Sequence, residues 1–381
     1  MIINYPWKKA VHDWSVSRKP CMLISRKHGS SGARRPKRKV YHRVFELDRA
    51  MELQKKPAMI LRLVSLIQSQ QNRTLRLRDL EKEVGIIAKW NLIAAIEKYP
   101  SIFYVGGGST NRTPPYVTLS QKADEIASEE CQARAMMEPL LVEKLRKLLM
   151  LTVDCRMPLE KIELVQKELG LPIDFKETFL LKYSHYFTVE RFDGIECLNL
   201  HSWDSSLAVT AREAKLAGEG VPATNPSRKT AIGRDGNFAG PFAFKIRYAS
   251  GFRPNASFLD ALERWQRMEF PSPYLNARRF ELEDPKARKR IIGVLHELLS
   301  LTMEKRMTVA QLDAFHKECL LPAKLLLCLV KQHGIFYVTN KGGRGTVILK
   351  EGYEGSQIIE KCPLQLFHDR FVALSGRREP I

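Results

Sequence analysis

One order of apolar and aromatic residues recurs three times along this chain, and it limits the fold more than any other feature. The first copy reads Leu77, Leu80, Val84-Gly85-Ile86, Tyr99 and Phe103-Tyr104-Val105. The second reads Leu159, Ile162, Leu169-Gly170-Leu171-Pro172, Tyr183 and Phe187-Thr188-Val189. The third reads Val309, Leu312, Leu320-Leu321-Pro322, His333 and Phe336-Tyr337-Val338. The second apolar anchor lies 23, 25 and 24 positions before the Phe in the three copies. A fixed period of this kind marks one supersecondary unit used repeatedly. An apolar helical stretch lies upstream of each copy.

In the first copy Ile60, Leu63, Val64 and Ile67 stand at helical spacing within residues 58–69. Leu77 to Val84 and Trp90 to Ile96 read as two more helices. Phe103-Tyr104-Val105 and Tyr116-Val117-Thr118-Leu119 flank a Gly/Ser/Asn turn and read as a β-hairpin. The second copy runs from Leu140 to about Asn199, with strands Phe187 to Glu190 and Glu196 to Leu200 turned at Asp193-Gly194. The third runs from Ile291 to Leu349 and turns at Lys341-Gly342-Gly343-Arg344-Gly345. The expected fold class is mainly α (α+β): three winged-helix-like units, each of helices followed by a short hairpin. The expected organisation is a basic segment over 1–42, two units over 43–212, a Gly/Pro-rich connector over 213–256, a third unit over 257–363 and a tail over 364–381.

Lys and Arg number 62 against 42 Asp and Glu, for a net charge of +20 and a pI near 9.7. Such an excess repels itself in a compact state and is most simply explained by a polyanionic partner. RNA, DNA and an anionic membrane surface all qualify. No apolar run approaches the ~18 residues of a spanning helix, and no strongly amphipathic basic helix argues for a membrane surface. Residues 1–45 hold twelve Lys or Arg and one acid, Asp13. That composition resembles an organelle transit peptide, and the alternative is a basic tail that grips nucleic acid or directs nuclear import. The seven Cys include no Cys-x-x-Cys pair, which argues for reduced thiols and against a structural zinc site.

Catalytic signatures are sparse. His296-Glu297-Leu298-Leu299 begins like a zinc-protease motif, but Ser300 stands where the second His is needed. No phosphate-binding Gly-x-x-x-x-Gly-Lys and no Gly-x-Ser-x-Gly elbow occurs. Cys328 with His333 is the one thiol-hydrolase pairing worth naming, and the apolar run around Cys328 would silence it.

The cations say more. Arg73, Arg76 and Arg78 enter the first copy, Arg156 and Lys161 the second, Lys305 and Arg306 the third. Arg278, Arg279, Arg288, Lys289 and Arg290 form a further cluster, and Lys341 and Arg344 sit in the last turn. Guanidinium forks grip phosphate bidentately and ammonium groups do so as point charges. These fourteen positions are therefore the candidate nucleic-acid contacts, although each alone fits a solvated helix face equally well. Phe103, Phe187 and Phe336 read as core. Tyr104 and Tyr337 alternate with them and would face the other way, where they could stack on unpaired bases.

From Arg43 to about Pro363 the chain resembles the plant organelle RNA recognition family. The resemblance rests on Glu46-Leu47-Asp48, Leu80 through Gly85, Tyr99-Pro100-Ser101-Ile102-Phe103, Phe242 to Phe252, Ser272-Pro273-Tyr274 and Phe336-Tyr337-Val338. Val294-Leu295-His296-Glu297-Leu298-Leu299-Ser300-Leu301-Thr302 is its most specific stretch. The resemblance implies a non-catalytic RNA-binding protein, without a cofactor, that promotes splicing of group II introns beside other organellar splicing factors, in mitochondria by preference and in chloroplasts as the alternative. It implies no catalytic residues. A winged-helix DNA-binding regulator and a thiol hydrolase are the competing expectations.

Overall fold

The three Phe-led segments do pair as hairpins, and each hairpin carries a third strand. In the computed structural model the chain is described over residues 43–374, apart from 54, 77, 80–95, 108–113, 220–232, 234, 239, 282 and 342–344. The first sheet holds β1 (Thr74–Arg76), β2 (Phe103–Gly106) and β3 (Tyr116–Leu119). The second holds β4 (Arg156–Pro158), β5 (Phe187–Phe192) and β6 (Ile195–Leu200), and the third β7 (Arg306–Thr308), β8 (Phe336–Thr339) and β9 (Thr346–Leu349). All pairs are antiparallel, and the strand orders are β1-β3-β2, β4-β6-β5 and β7-β9-β8. The short first strand escapes a sequence reading because three residues cannot display a period of two. The protein is thus a mixture of helices and small antiparallel sheets.

The same backbone device introduces each first strand. Arg73, Cys155 and Lys305 precede β1, β4 and β7 with φ of 48°, 52° and 50°. A non-glycine residue in the left-handed region costs roughly 1 kcal/mol, so the surrounding packing must enforce the turn at each point. Before the second and third sheets a Thr hydroxyl helps: Thr152 donates to the Leu149 carbonyl at 2.6 Å and Thr302 to that of Leu299 at 2.7 Å. Strand alternation then sends Leu75, Met157 and Met307 inward, with Phe103, Phe187 and Phe336 beside them, all buried. The β5–β6 turn has Asp193 and Gly194 both at positive φ, which suits a tight two-residue hairpin turn.

The segments flanking the second and third sheets meet through reciprocal bonds. The Val153 amide donates to the Glu318 carbonyl, and the Met303 amide donates to the Glu168 carbonyl, each at 2.8 Å. Val153 and Met303 are separated by the same sequence offset as Glu168 and Glu318. Lys161 adds a bond to the Glu318 carboxylate at 2.6 Å, and Gln311 adds one to the Leu164 carbonyl at 2.9 Å.

Among the described residues the main apolar core runs from Ile60 to Phe371 and includes residues around all three sheets, and a smaller cluster gathers Leu47, Ala50, Met51, Tyr337, Ile348 and Tyr353. The helix Glu130–Met150 starts ahead of the expected Leu140 and contributes Leu141, Leu145, Leu148 and Leu149 to the main core. The helix Pro285–Leu301 is buried almost throughout, and Asp284 caps it by accepting from the Lys286 amide at 2.8 Å. Two of the expected segments contain ordered, packed stretches. Residues expected to be a tail from 364 onward form the helix Pro363–Leu374, whose Leu364, Phe367 and Phe371 enter the core; the short apolar spacing there was too brief to register as a helix. The expected Gly/Pro-rich connector packs where it is described, with Ala243, Phe244 and Ile246 buried, and the helix Ala211–Gly218 overlaps its start. The helices expected from Leu77 to Val84 and from Trp90 to Ile96 lie largely outside the described residues, as does the basic segment 1–42.

Candidate nucleic-acid interface

Burial removes several candidate cations from the interface. Lys289 is fully buried, and its Nζ donates to the carbonyls of Gln266 at 2.8 Å and Met268 at 2.7 Å under the rings of Trp265 and Phe270. Burial lowers its ammonium to about 7. Arg290 is also buried and donates to the carbonyls of Ser272, Pro273 and Leu275. Both are internal clamps on the irregular backbone before the helix Pro285–Leu301. The sequence reading missed this because a Lys-Arg run looks alike on either side of a helix. Lys305 points inward to the Ser300 carbonyl at 2.6 Å, and burial lowers its ammonium.

Other candidates are engaged but reachable. Arg156 and Arg278 share Asp154: Arg278 makes a bidentate pair at 2.8 and 3.2 Å, while Arg156 reaches it at 3.4 Å and stacks on Phe192. With exposed Arg279 beside them, this corner keeps a net positive charge. Arg73 pairs with Asp124 at 2.9 Å, Lys161 with Glu318, Arg306 with Glu304 at 2.7 Å and Lys341 with Glu52 at 3.2 Å. Arg288 donates to the Glu283 carbonyl at 3.0 Å. Arg76 and Arg78 are exposed with no acidic partner among the described residues, and Arg344 lies outside those residues. Among the described candidates, Lys289, Arg290 and Lys305 are therefore engaged with internal carbonyls.

The structure assembles a basic site that the sequence did not suggest. A cleft of about 780 Å³ is lined by Arg49, Arg62, Arg134, Lys167, Arg306 and Lys361, against the carboxylates of Glu168, Glu304 and Asp369. Its charge is net positive even with every lining acid ionised. Burial holds His368 below the usual imidazole range, so that ring adds no charge at neutral pH. Some lining cations are partly neutralised: Arg134 donates to Glu130 at 2.8 Å and Lys361 pairs with Asp369 at 2.7 Å. Arg49 on the helix Phe45–Leu53 and Lys167 are exposed. Only Arg306 of the six was a candidate, because residues from distant elements leave no local signal in a sequence.

The His296-Glu297 stretch has an architectural task. Glu297 accepts from the Tyr274 hydroxyl at 2.7 Å and from the Ala211 amide at 2.9 Å, so it ties two distant segments to one buried helix. His296 Nε2 lies 2.7 Å from Glu351. Ser300 donates its hydroxyl to the His296 carbonyl at 2.8 Å within the same helix. Burial raises the Cys328 thiol to about 11, the opposite direction from an activated nucleophile. No group of three or more metal-ligating side chains occurs among the described residues, and no described helix is long and apolar enough to cross a membrane.

A family model described as the plant organelle RNA recognition domain matches residues 42–379. The chain is 32% identical over 331 residues to Protein WHAT'S THIS FACTOR 1, chloroplastic, of Zea mays, covering 86% of this chain and 65% of that protein. It is 31% identical over 368 residues to the chloroplastic homolog of that protein in Arabidopsis thaliana, covering 95% of this chain and 66% of the relative. It is 30% identical over 371 residues to Protein ROOT PRIMORDIUM DEFECTIVE 1 of Arabidopsis thaliana, covering 92% of this chain and 87% of that protein. The chain spans just under two thirds of the length of the two chloroplastic relatives. No solved structure matches it.

Proposed function

We propose, for a chain that belongs to the plant organelle RNA recognition family, that it binds RNA inside an organelle and promotes splicing without catalysing it. The observation that carries this reading is the cleft whose six Arg and Lys side chains outnumber its three carboxylates. Cations placed on several elements neutralise phosphates and release their counterions, a sequence-independent attraction. Selectivity would then come from RNA shape and from unpaired nucleotides. A group II intron is the RNA this reading assigns, with the intron supplying the chemistry and the protein holding a competent RNA fold. The raised Cys328 thiol and the internal use of the Ser300 hydroxyl favour a binding role over a hydrolase.

The common strand order supports reading the three sheets as one winged-helix-like unit used three times. Winged helices also read duplex DNA, so the deciding test is competition. Labelled single-stranded RNA bound to the protein should be displaced by unlabelled RNA and hardly by duplex DNA of equal length. The reverse order would favour a DNA-binding regulator. The names of the two chloroplastic relatives favour the plastid over the mitochondrion. Residues 1–42 fused to a fluorescent protein should enter that organelle, and a cytosolic or nuclear signal would contradict the assignment.

A further inference from the structure

The first and third sheets present the same face in different states. On the third sheet, Tyr337 lies opposite Ile348, and Ile348 opposite Arg306. The helix Phe45–Leu53 covers this row: Leu47, Ala50 and Met51 pack with Tyr337 and Ile348, and Asp48 accepts from Tyr337 and Thr339. The matching rows of the first sheet are Tyr104–Thr118–Thr74 and Gly106–Tyr116–Arg76. Their alternate neighbours Phe103, Val117 and Leu75 are buried, so these rows face outward. There Tyr104 is 60% exposed, whereas Tyr337 at the corresponding place is 6% exposed.

The chemistry of the open face also differs. Its middle strand shows Thr118 where the third sheet shows Ile348, so it offers an apolar helix less to bury. Gly106 allows a further feature, because a Cβ there would stand 2.5 Å from Tyr116 Cζ. The Tyr116 ring therefore lies against the bare backbone of Gly106, on the same face as Tyr104 and the exposed Arg76, which has no acidic partner among the described residues.

We infer that this face is a stacking platform for unpaired bases of single-stranded RNA, with Arg76 and Arg78 holding the adjoining phosphates. The inference rests on the RNA-binding reading and gives it a second, base-contacting site apart from the cleft. Two tyrosines and an arginine on one sheet face suit nucleobases and a polyanionic backbone, and paired bases would not offer their faces to it.

The test uses the full chain, with an unstructured single-stranded RNA and an RNA duplex of equal length as probes. Tyr104→Ala should weaken single-strand binding by about 5- to 150-fold, the range of one lost stacking contact. Tyr104→Phe should retain near wild-type affinity, duplex binding should not change, and the melting temperature should hold because Tyr104 is exposed. Wild-type affinity in Tyr104→Ala would overturn the platform while leaving RNA binding intact. Equal losses for single strand and duplex would overturn it too, because stacking would not be the contact removed. A wild-type protein that binds neither probe would overturn the RNA reading itself.

Discussion

The Tyr337 hydroxyl donates to Asp48 Oδ1 at 2.8 Å, joining a strand of the third sheet to a helix far away in sequence. Thr339 donates to the same oxygen at 2.8 Å, and Arg43 donates to Oδ2 at 2.9 Å. Burial would raise the Asp48 carboxyl, but the bonds from Thr339, Tyr337 and Arg43 outweigh it and hold it low. Asp48→Ala strands two buried hydroxyls, each worth about 1–3 kcal/mol when unsatisfied. We expect a loss of about 2–4 kcal/mol in urea unfolding on that basis, with a smaller loss for Asp48→Asn. Wild-type stability in the Ala variant would mean that the helix is held by its apolar face alone.

Glu351 gives a pH dependence with a defined sign. Burial opposes its ionisation, but His296 at 2.7 Å, with Arg212 and Lys215, outweighs that and holds the carboxyl at about 2, below the ordinary 4.5. A depressed carboxyl stabilises the fold above its unfolded value and loses that contribution as pH falls toward the folded one. The stability gap between wild type and Glu351→Gln should therefore be full at neutral pH and shrink from pH 4.5 toward 2. A gap that stays constant through this window would assign the acid sensitivity to another group.

Phe187→Ala tests the packing of the second sheet. Phe187 is buried beside Leu198, and removing such a ring costs about 3–5 kcal/mol. Phe103→Ala and Phe336→Ala should cost a similar amount if the three sheets are equivalent in their cores. A loss under about 1 kcal/mol at one of them, far below that range, would break the equivalence there.

The sequence revealed what is periodic and local. The recurrent Phe positions and the β5–β6 turn at Asp193-Gly194 follow from spacing and turn chemistry. The strands β1, β4 and β7 stayed hidden because three residues carry no period. The helix Phe45–Leu53 also stayed hidden, because its value lies in a contact with Tyr337 and Thr339 that spacing does not encode. Charge misled in a specific way. Lys289 and Arg290 read as candidate nucleic-acid contacts, yet they donate to internal carbonyls, while Arg49, Lys167 and Lys361 of the cleft come from separate elements.

That correction is itself testable. Lys289→Met keeps the stem volume in the core and removes an ammonium that burial already disfavours. It should alter stability but leave the RNA affinity of the folded protein unchanged within error. A large loss of affinity without unfolding would return Lys289 to the interface.

If phosphates bind in the cleft, the salt dependence of RNA affinity reveals it most directly. For single strands, log K falls against log salt with a slope of about −0.7 for each phosphate neutralised. Arg49→Ala with Lys167→Ala should therefore reduce that slope by about 1.4 and weaken binding at low salt. The melting temperature should hardly change, because exposed charges contribute little to folding. An unchanged slope in this double variant would show that RNA does not enter the cleft.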